Sequence, residues 1–170
     1  NAQVHYYLGR AQSGLNLHDE SAKSFRKSLR EDPLNEVVLF YLTQADMELE
    51  NFADASLAIA QAIELRPDEK AFYVIQGLVF DRMGDYNSAI ATYEAGLAIN
   101  SQNDGAQATL LNNYSYILSE HDRDLDKALE MAKMAIRVEP ENSSFLDTLG
   151  WVYYKLENYE EALKFIQKSV

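Results

Sequence analysis

The chain of 170 residues contains no cysteine, which excludes disulfide scaffolds, thiolate metal sites and cysteine nucleophiles. Positive charge is also scarce, because 15 lysine and arginine residues stand against 27 aspartate and glutamate residues and leave a net charge of −12. Nucleic acids and anionic membrane surfaces bind clustered positive charge, so neither is an expected partner. The densest basic run, Arg26, Lys27 and Arg30, is expected to be a solvent-exposed helix face. No segment approaches the roughly 18 consecutive apolar residues that a membrane span needs.

Motifs for catalysis and for metal binding are missing as well. The histidines show no HExxH or paired spacing and are expected at surface or boundary positions: His5, His18 and His121. The stretch HDRDLD, residues 121 to 126, resembles the start of a calcium loop, but Lys127 and Lys133 stand where such a loop needs glycine and glutamate. There is no glycine-rich phosphate loop and no GxSxG elbow. We therefore expect no enzymatic activity, no cofactor and no metal site.

What the chain does contain is an internal repeat, because small residues recur about every 34 positions. They form three rows in register: Ser21, Ala55, Ala89, Ala128 and Ala162; Gly9, Thr43, Gly77, Ser115 and Gly150; and Ser28, Ala62, Gly96, Ala135 and Ser169. Prolines keep the same phase, with a serine in the remaining place: Pro33, Pro67, Pro140 and Ser101. A fixed period of this length is typical of a stack of similar structural units.

Each repeat is predicted to form two helices. In the first repeat Ala22, Phe25 and Leu29 have the spacing of one helical face. The second helix has an expected N-cap in four repeats: Asn51, Asp85, Asp124 and Asn158. The prolines are expected to lie beyond the end of the second helix, since proline cannot continue it without losing a hydrogen bond. The small rows are expected where two helices cross closely.

This pattern resembles the tetratricopeptide repeat. The third and fifth repeats match the family's signature positions: Tyr73, Gly77, Phe80, Ala89, Tyr93 and Leu97; and Leu146, Leu149, Gly150, Tyr153, Ala162 and Val170. The resemblance implies an all-α, right-handed superhelical solenoid of antiparallel helix pairs. We predict repeats at 2–35, 36–69, 70–103, 108–142 and 143–170. A four-residue insertion at 104–107 is expected to lengthen the next helix, and the truncated fifth repeat suggests a piece of a longer protein.

One row of each first helix is expected to point away from the packing, and the resemblance implies that this row lines a concave groove. The candidate partner-binding residues, called the groove row below, are Tyr6, Arg10, Phe40, Gln44, Val74, Leu78, Asn112, Tyr116, Asp147, Trp151 and Tyr154. Exposed aromatic clusters are enriched at binding hot spots. Phe40 and Val74 are expected to be partly buried, whereas packing roles for Tyr116 and Trp151 stay open. Tyr153 and Tyr159 are expected in or near the core.

Two known modes of partner binding in the family do not fit. Co-chaperone arrays hold a C-terminal carboxylate with lysine and asparagine, but the matching positions supply one cation, Arg10: Tyr6, Arg10, Tyr41, Ala71 and Ile75. The asparagine ladder of sugar-transferase arrays is represented here by Asn113 alone. The remaining expectation is a protein or peptide partner with apolar anchors and a neutral or basic flank.

The sequence thus predicts a noncatalytic scaffold that binds another protein, with no nucleic acid and no direct membrane insertion. One alternative is a structural module that forms a homo-oligomer through its uncapped C-terminal repeat. Another is an accessory domain of a larger enzyme. The stretches LNNYSYILSE and FLDTLGWVYYKLENYEEA resemble the closing repeats of bacterial multi-repeat proteins, many of them envelope-associated. That resemblance favours the periplasmic face of a bacterial cell envelope over the cytoplasm.

Overall fold

The computed structural model describes residues 1–100 and 104–170, which form α-helices and no β-strand. In chain order the helices are α1 (Ala2–Gly14), α2 (His18–Glu31), α3 (Glu36–Glu48), α4 (Phe52–Leu65), α5 (Lys70–Arg82), α6 (Tyr86–Ala98), α7 (Asp104–Glu120), α8 (Leu125–Val138), α9 (Ser143–Lys155) and α10 (Tyr159–Ser169). The predicted all-α class is confirmed.

The chain divides into two compact halves, an N-terminal half of Asn1–Asp85 and a C-terminal half of Tyr86–Val170. Within the first half α1 pairs with α2 and α3 with α4, while α3 also packs on α2 and α5 on α4. In the second half α7 pairs with α8 and α9 with α10, while α6 packs on α7 and α9 on both α7 and α8. Short turns between paired helices make each pair antiparallel.

Side chains at the helix starts explain several boundaries. Asp124 accepts a hydrogen bond from the backbone nitrogen of Lys127 at 3.2 Å, and Asn158 accepts one from that of Glu161 at 3.3 Å, as predicted. The prediction for Asn51 is wrong, since its side chain makes no cap bond. Its backbone nitrogen donates to the backbone carbonyl oxygen of Asp46 at 2.8 Å, and its side chain lowers the pKa of the buried Asp46 carboxyl group.

The helix ends follow the prolines. The second helices end two residues before a proline in three repeats: α2 at Glu31, α4 at Leu65 and α8 at Val138. Proline could not donate the backbone hydrogen bond that another helical turn would need. Ser101, the residue in the remaining proline position, lies outside the described residues.

The middle row of small residues is buried throughout, as close helix crossings require: Gly9, Thr43, Gly77, Ser115 and Gly150. A Cβ atom on Gly9 would lie 2.6 Å from the ring of Phe25. The hydroxyl group of Ser115 donates to the carbonyl oxygen of Ala128 at 2.7 Å, so even the polar member binds its paired helix. Larger side chains at these positions would separate the helices.

Each half has an apolar core between successive helix pairs. In the N-terminal half it contains Ala22, Phe25, Val38, Leu39, Leu42, Ala45, Ala58, Ile59, Ala62 and Phe72. In the C-terminal half a cluster contains Ala108, Leu111, Ala135 and Phe145. Burial of these side chains supplies the main driving force for stacking, at about 25 cal/mol per Å² of apolar surface.

The expectation of a purely solvent-exposed basic face on α2 is wrong for Arg26. Its guanidinium group donates to both carboxyl oxygens of Asp46, at 2.7 and 2.9 Å, and reaches Asp54 at 3.2 Å. The side chain of Asp46 is fully buried. Burial raises the pKa of Asp46, and the adjacent Arg26 charge opposes that rise. Lys27 and Arg30 are exposed, as expected.

Helix α7 is the longest of the helices in the described residues. It has 17 residues, whereas the first helices of the other pairs, α1, α3 and α9, have 13 each. Residues 104–107 form its first turn, so the added residues extend the helix. The repeat boundaries themselves stay a prediction.

Candidate functional site

The groove row is exposed to different extents along the chain. Four members are exposed, Arg10, Tyr116, Asp147 and Tyr154, and most of the remaining members are half-buried. Val74 and Asn112 are buried, with 8% and 7% of their surface accessible, so Val74 is more buried than the expected partial burial. Their part in partner contact stays a prediction.

Aromatic rings of the row in the N-terminal half are part of a larger ring cluster. The Phe40 ring lies 5.6 Å from Tyr41 and 5.8 Å from Phe72, between ring centroids. The Tyr6 ring lies 5.9 Å from Tyr41 and 6.4 Å from Phe25. Both Phe40 and Tyr6 therefore pack against the core of this half as well as lining its surface.

Arg10 is engaged with the same rings. Its guanidinium group donates to the hydroxyl oxygen of Tyr6 at 2.9 Å and lies 4.3 Å from the ring centroid of Tyr41. The hydrogen bond to Tyr6 raises the pKa of Arg10, so this side chain remains a cation. Within 1–100 and 104–170, Arg10 has no carboxylate partner.

Two clefts open on the N-terminal half next to the predicted row. One of about 460 Å³ is lined by Gln3, Tyr6 and Val37 among others, and one of about 370 Å³ by Ser13, Gln44 and Met47 among others. Of the groove row, Tyr6 lines the first cleft and Gln44 lines the second.

The C-terminal half has a smaller cleft with a different lining. About 220 Å³ in volume, it is lined by Tyr116, Glu120, Asp147, Trp151 and Ile166, and is called the Trp151 cleft below. Helix α7 supplies Tyr116 and Glu120, one turn apart, and α9 supplies Asp147 and Trp151 in the same way. The Tyr116 side chain is 43% exposed, so the aromatic wall is open to solvent.

Gly150 explains how Ile166 of α10 comes to lie beside Trp151. A Cβ atom on Gly150 would lie 2.6 Å from Cγ1 of Ile166 and 3.1 Å from its backbone nitrogen. Only glycine permits this approach, so α10 packs directly on α9 at the residue before Trp151. Gly150 thus allows α10 to approach α9, and Trp151, the next residue, lines the cleft beside Ile166.

The indole ring of Trp151 is held from two directions. The Tyr154 ring stacks on it with centroids 5.5 Å apart and planes 20° apart. The ammonium group of Lys155 lies 5.6 Å from the indole centroid and is bound by the carboxylate of Asp122 at 2.7 Å. A ring fixed in this way loses little conformational entropy when a partner binds.

Two polar atoms on the same helices lack a partner among the described residues. The indole nitrogen of Trp151 is buried and donates no hydrogen bond. The side-chain oxygen of Asn112, one turn before Tyr116, is buried and accepts none. Such atoms cost free energy unless a ligand or water satisfies them.

The two tyrosines expected near the core behave differently. Tyr153 is half-buried and stacks on Phe165 with centroids 5.7 Å apart, as expected. Tyr159 is 60% exposed, so that expectation is wrong. It is the first residue of α10, where its ring lies against Tyr154 at the surface.

A second polar contact in this half ties three helices together. The buried hydroxyl group of Tyr114 on α7 hydrogen-bonds Glu94 of α6, and Lys127 of α8 donates to the same hydroxyl at 2.8 Å. Burial raises the pKa of Tyr114, and the Glu94 carboxylate raises it further. The phenol stays protonated and serves as a structural link.

Two other kinds of site are absent from the described residues. No group of three or more histidine or carboxylate side chains in 1–100 and 104–170 is arranged to hold a metal ion. Among the described helices, none is long and apolar enough to cross a bilayer.

Comparison with known families matches the description Tetratricopeptide repeat over most of the chain. The matched segments are residues 2–33, 43–104 and 144–170. The chain belongs to the tetratricopeptide repeat family. Its rows of buried small residues and its helix pairs are therefore the repeat packing of that family, and the predicted resemblance is confirmed.

Two curated relatives show the same membership. The chain is 30% identical over 102 residues to the Hsp70-Hsp90 organizing protein of Triticum aestivum, covering 60% of this chain and 18% of that protein. It is 21% identical over 154 residues to a TPR repeat-containing protein of Pseudomonas aeruginosa, covering 89% of this chain and 25% of that protein. The tetratricopeptide chain thus spans a quarter or less of either relative's length.

Solved structures show the same fold. A MamA structure superposes with a TM-score of 0.79 at 20% identity, covering 99% of this chain and 89% of the other. The structure of YrrB, described as a TPR protein with an unusual peptide-binding site, superposes with a TM-score of 0.70 at 16% identity, covering 99% and 84%. At these identities the likeness establishes the tetratricopeptide solenoid fold alone.

Four residues of the Trp151 region were not among the sequence-predicted site residues: Glu120, Asp122, Lys155 and Ile166. Glu120 lies just past the end of the predicted row, one turn after Tyr116. The loop between α7 and α8 has four residues, 121–124, whereas the loops of the other helix pairs have three, and this extra residue was a usable signal for Asp122. The contact of Ile166 with Gly150 depends on packing between helices, which row positions on α9 do not reveal.

Proposed function

We propose that this tetratricopeptide chain is a noncatalytic scaffold that binds a peptide segment or partner protein through its groove row, chiefly at the Trp151 cleft. The observation that carries the proposal is the open aromatic wall of this cleft. Tyr116 and Tyr154 are half exposed, and Trp151 is held between Tyr154 and Lys155. Aromatic side chains presented at a fixed orientation are the usual anchors of protein interfaces.

The family supports the coarse part of this proposal. Tetratricopeptide arrays are generally noncatalytic scaffolds for protein interactions, and the two named comparisons fit that role. The wheat relative is named for organizing Hsp70 and Hsp90, and YrrB is described by its peptide-binding site. Arg10 is the one cation at the co-chaperone clamp positions, so a chaperone-tail partner is not proposed here.

The expected partner carries apolar anchors with a neutral or basic flank. The chain's net charge of −12 repels acidic segments and attracts basic ones during approach. The same charge opposes binding to nucleic acid. Affinity should therefore fall with rising salt while keeping an apolar contribution.

The proposal is tested by capture from an extract of the source organism. The wild-type chain is compared with a Tyr116→Ala, Trp151→Ala double variant that circular dichroism shows to be folded. The matched control is Leu57→Ala, because Leu57 is 72% exposed on α4, outside the groove row. We expect a protein that the wild type and the control retain and the double variant loses.

Retention of the same proteins by all three chains would contradict the proposal. In that case the rings of the Trp151 cleft would contribute to packing and not to recognition. If a protein is lost only from the double variant, it should be purified and rebound to the wild-type chain alone, since a direct complex is part of the claim.

A second candidate function is self-association through α10. Phe25 of α2 is fully buried beneath α3, whereas its repeat counterpart Ile166 is 37% exposed and Leu163 is 59% exposed. A second copy would cover this apolar face. Sedimentation velocity across a range of concentrations tests it, with Leu163→Gln as the variant expected to remain monomeric if the face is an interface.

A further inference from the structure

The Trp151 cleft joins an apolar wall to two carboxylates. Tyr116, Trp151 and Ile166 form the wall, and Glu120 and Asp147 line the same space. Some carboxylates of the C-terminal half are paired, as Asp122 is with Lys155 and Glu161 with Lys164. Neither Glu120 nor Asp147 has an ion pair in the part of the chain that the structure describes.

Lys155, the cation on α9, already has a carboxylate partner. Lys155 is bound by Asp122 at 2.7 Å, and its side chain is only 19% exposed. It also lies over the Trp151 ring. The cleft therefore presents uncompensated negative charge next to an apolar surface, which is complementary to a cation beside an apolar group.

The size of the cleft limits what it can hold. Pockets for drug-sized molecules are usually about 300–1,000 Å³. The Trp151 cleft measures about 220 Å³, so it suits one or two side chains of a polypeptide. The indole nitrogen of Trp151 has no acceptor among the described residues but is buried, so it is not counted among the contacts of that polypeptide.

We propose that the Trp151 cleft binds a partner segment in which an aliphatic side chain adjoins a lysine or arginine. The aliphatic side chain packs on Trp151 and Ile166, and the cation lies by Glu120 and Asp147. This inference rests on the proposed scaffold function and specifies which segment the cleft selects. The cationic group improves selectivity more than it improves affinity, because part of its attraction is offset by lost hydration.

Trp151 is the chain's single tryptophan, so its emission reports on the cleft directly. The probes are four synthetic nonapeptides, acetylated and amidated, with a Gly-Ser background and a central Leu-Lys, Leu-Gln, Leu-Glu or Ala-Lys pair. Binding is measured by Trp151 emission and, for every variant, by anisotropy of labelled peptide. We expect Leu-Lys to bind about fivefold tighter than Leu-Gln, and Leu-Glu to bind weakest. Ala-Lys should also bind more weakly than Leu-Lys, because the apolar contact is reduced.

A charge variant separates the two parts of the site. The Glu120→Gln, Asp147→Asn double variant should bind Leu-Lys and Leu-Gln equally while keeping its affinity for Leu-Gln. Glu160→Gln is the matched control, since Glu160 is exposed on α10 and does not line the cleft. It should keep the Leu-Lys preference, and raising the salt concentration should reduce that preference in the wild type.

The outcomes distinguish this inference from the scaffold proposal. Equal binding of Leu-Lys and Leu-Gln to the wild type would overturn the basic-pair inference and leave a peptide-binding cleft. Binding of none of the four probes, with a captured partner still lost from the Tyr116→Ala, Trp151→Ala variant, would overturn the inference alone. Capture that is unaffected by that double variant would instead contradict the scaffold proposal.

Discussion

The two halves of this tetratricopeptide chain place their groove-row rings on opposite sides of the same small residue. In the N-terminal half the rings come three residues before it, as Tyr6 does before Gly9. In the C-terminal half they come immediately after it, as Trp151 does after Gly150. The shift of one helical turn changes what the rings contact.

Neighbouring residues explain the different outcome. Phe40 is followed by Tyr41, whose ring lies 5.6 Å away and also contacts the buried Phe25. The C-terminal counterparts of Tyr41 are Asn113 and Thr148, which offer no ring. Rings of the N-terminal half therefore pack on the core. In the C-terminal half Tyr116 is 43% exposed, and Trp151 is half-buried against Tyr154 at the edge of the cleft.

Aromatic residues in the groove row therefore do not by themselves mark a binding surface. A ring that packs on the core stabilises the fold, whereas a ring that lines an open cleft is accessible to a partner. Substitutions in the two halves should therefore differ in effect, beginning with the largest.

Gly150→Ala should lower the free energy of unfolding by about 3 kcal/mol, because the new Cβ atom would meet both the side chain and the backbone of Ile166. Gly9→Ala should cost less, since it meets only the ring of Phe25, which can shift. Gly14→Ala is the control, because no atom lies within 4 Å of the place where its Cβ would stand. Thermal melts that show equal losses for Gly150→Ala and Gly14→Ala would contradict the proposed α9–α10 contact.

Arg26→Met should lower the free energy of unfolding by about 2 to 3 kcal/mol near pH 7, because the buried carboxylate of Asp46 would lose its counter-charge. Burial already raises the pKa of Asp46, and removing Arg26 raises it further. Protonated Asp46 needs no counter-charge, so the loss relative to wild type should shrink as pH falls through that pKa.

The matched control for Arg26 is Arg30→Met on the same helix, since Arg30 is exposed. It should change stability little at any pH. Chemical denaturation at several pH values measures both variants. A loss for Arg26→Met that does not vary with pH would mean that its packing, and not its charge, supports α2.

Trp151→Ala should weaken binding of the captured partner by about 2 kcal/mol while leaving helicity unchanged, as for a hot-spot ring. Tyr6→Ala, in the N-terminal half, should instead lower stability, because its ring packs against the core there. Calorimetric titration and circular dichroism measure the two effects. A loss of helicity in Trp151→Ala would place that ring in the core of its half.

Lys155→Met should have the smallest effect, about 1 kcal/mol of stability, because it removes one cation–π contact and the ion pair with the largely exposed Asp122. The Trp151 emission spectrum should change, since the ring loses a neighbouring charge. Lys164→Met is the control, as Lys164 lies over Phe165 and not over Trp151. An emission change of the same size in the control would show that the spectrum does not report on Lys155.

Much of the fold was predictable from the sequence because repeated packing leaves a repeated pattern. The small rows, the helix pairs and the extended α7 follow from positions such as Gly9 and Ser115, whose role is set by local crossing geometry. Asn51 shows the limit of local reasoning. It is a good cap residue by type, but its side chain makes no cap bond and lies instead by the buried carboxyl group of Asp46.

The candidate site was less predictable, since residue spacing shows which face a side chain lies on and not what covers it. Row position predicted Tyr116 and Trp151 together, and they do line one cleft. It could not show that Val74 and Asn112 are buried. Nor could it show that Lys155, which lies by Trp151, is bound by the carboxylate of Asp122. Those facts depend on contacts between helices.

The most direct test of the difference between the halves is the free energy of unfolding of Phe40→Ala and Tyr116→Ala, measured side by side. We predict a loss of about 2 kcal/mol for Phe40→Ala, whose ring packs against the core, and about 0.5 kcal/mol or less for Tyr116→Ala, whose ring is 43% exposed. Equal losses, or a larger loss for Tyr116→Ala, would contradict the claim that the C-terminal rings are accessible to a partner.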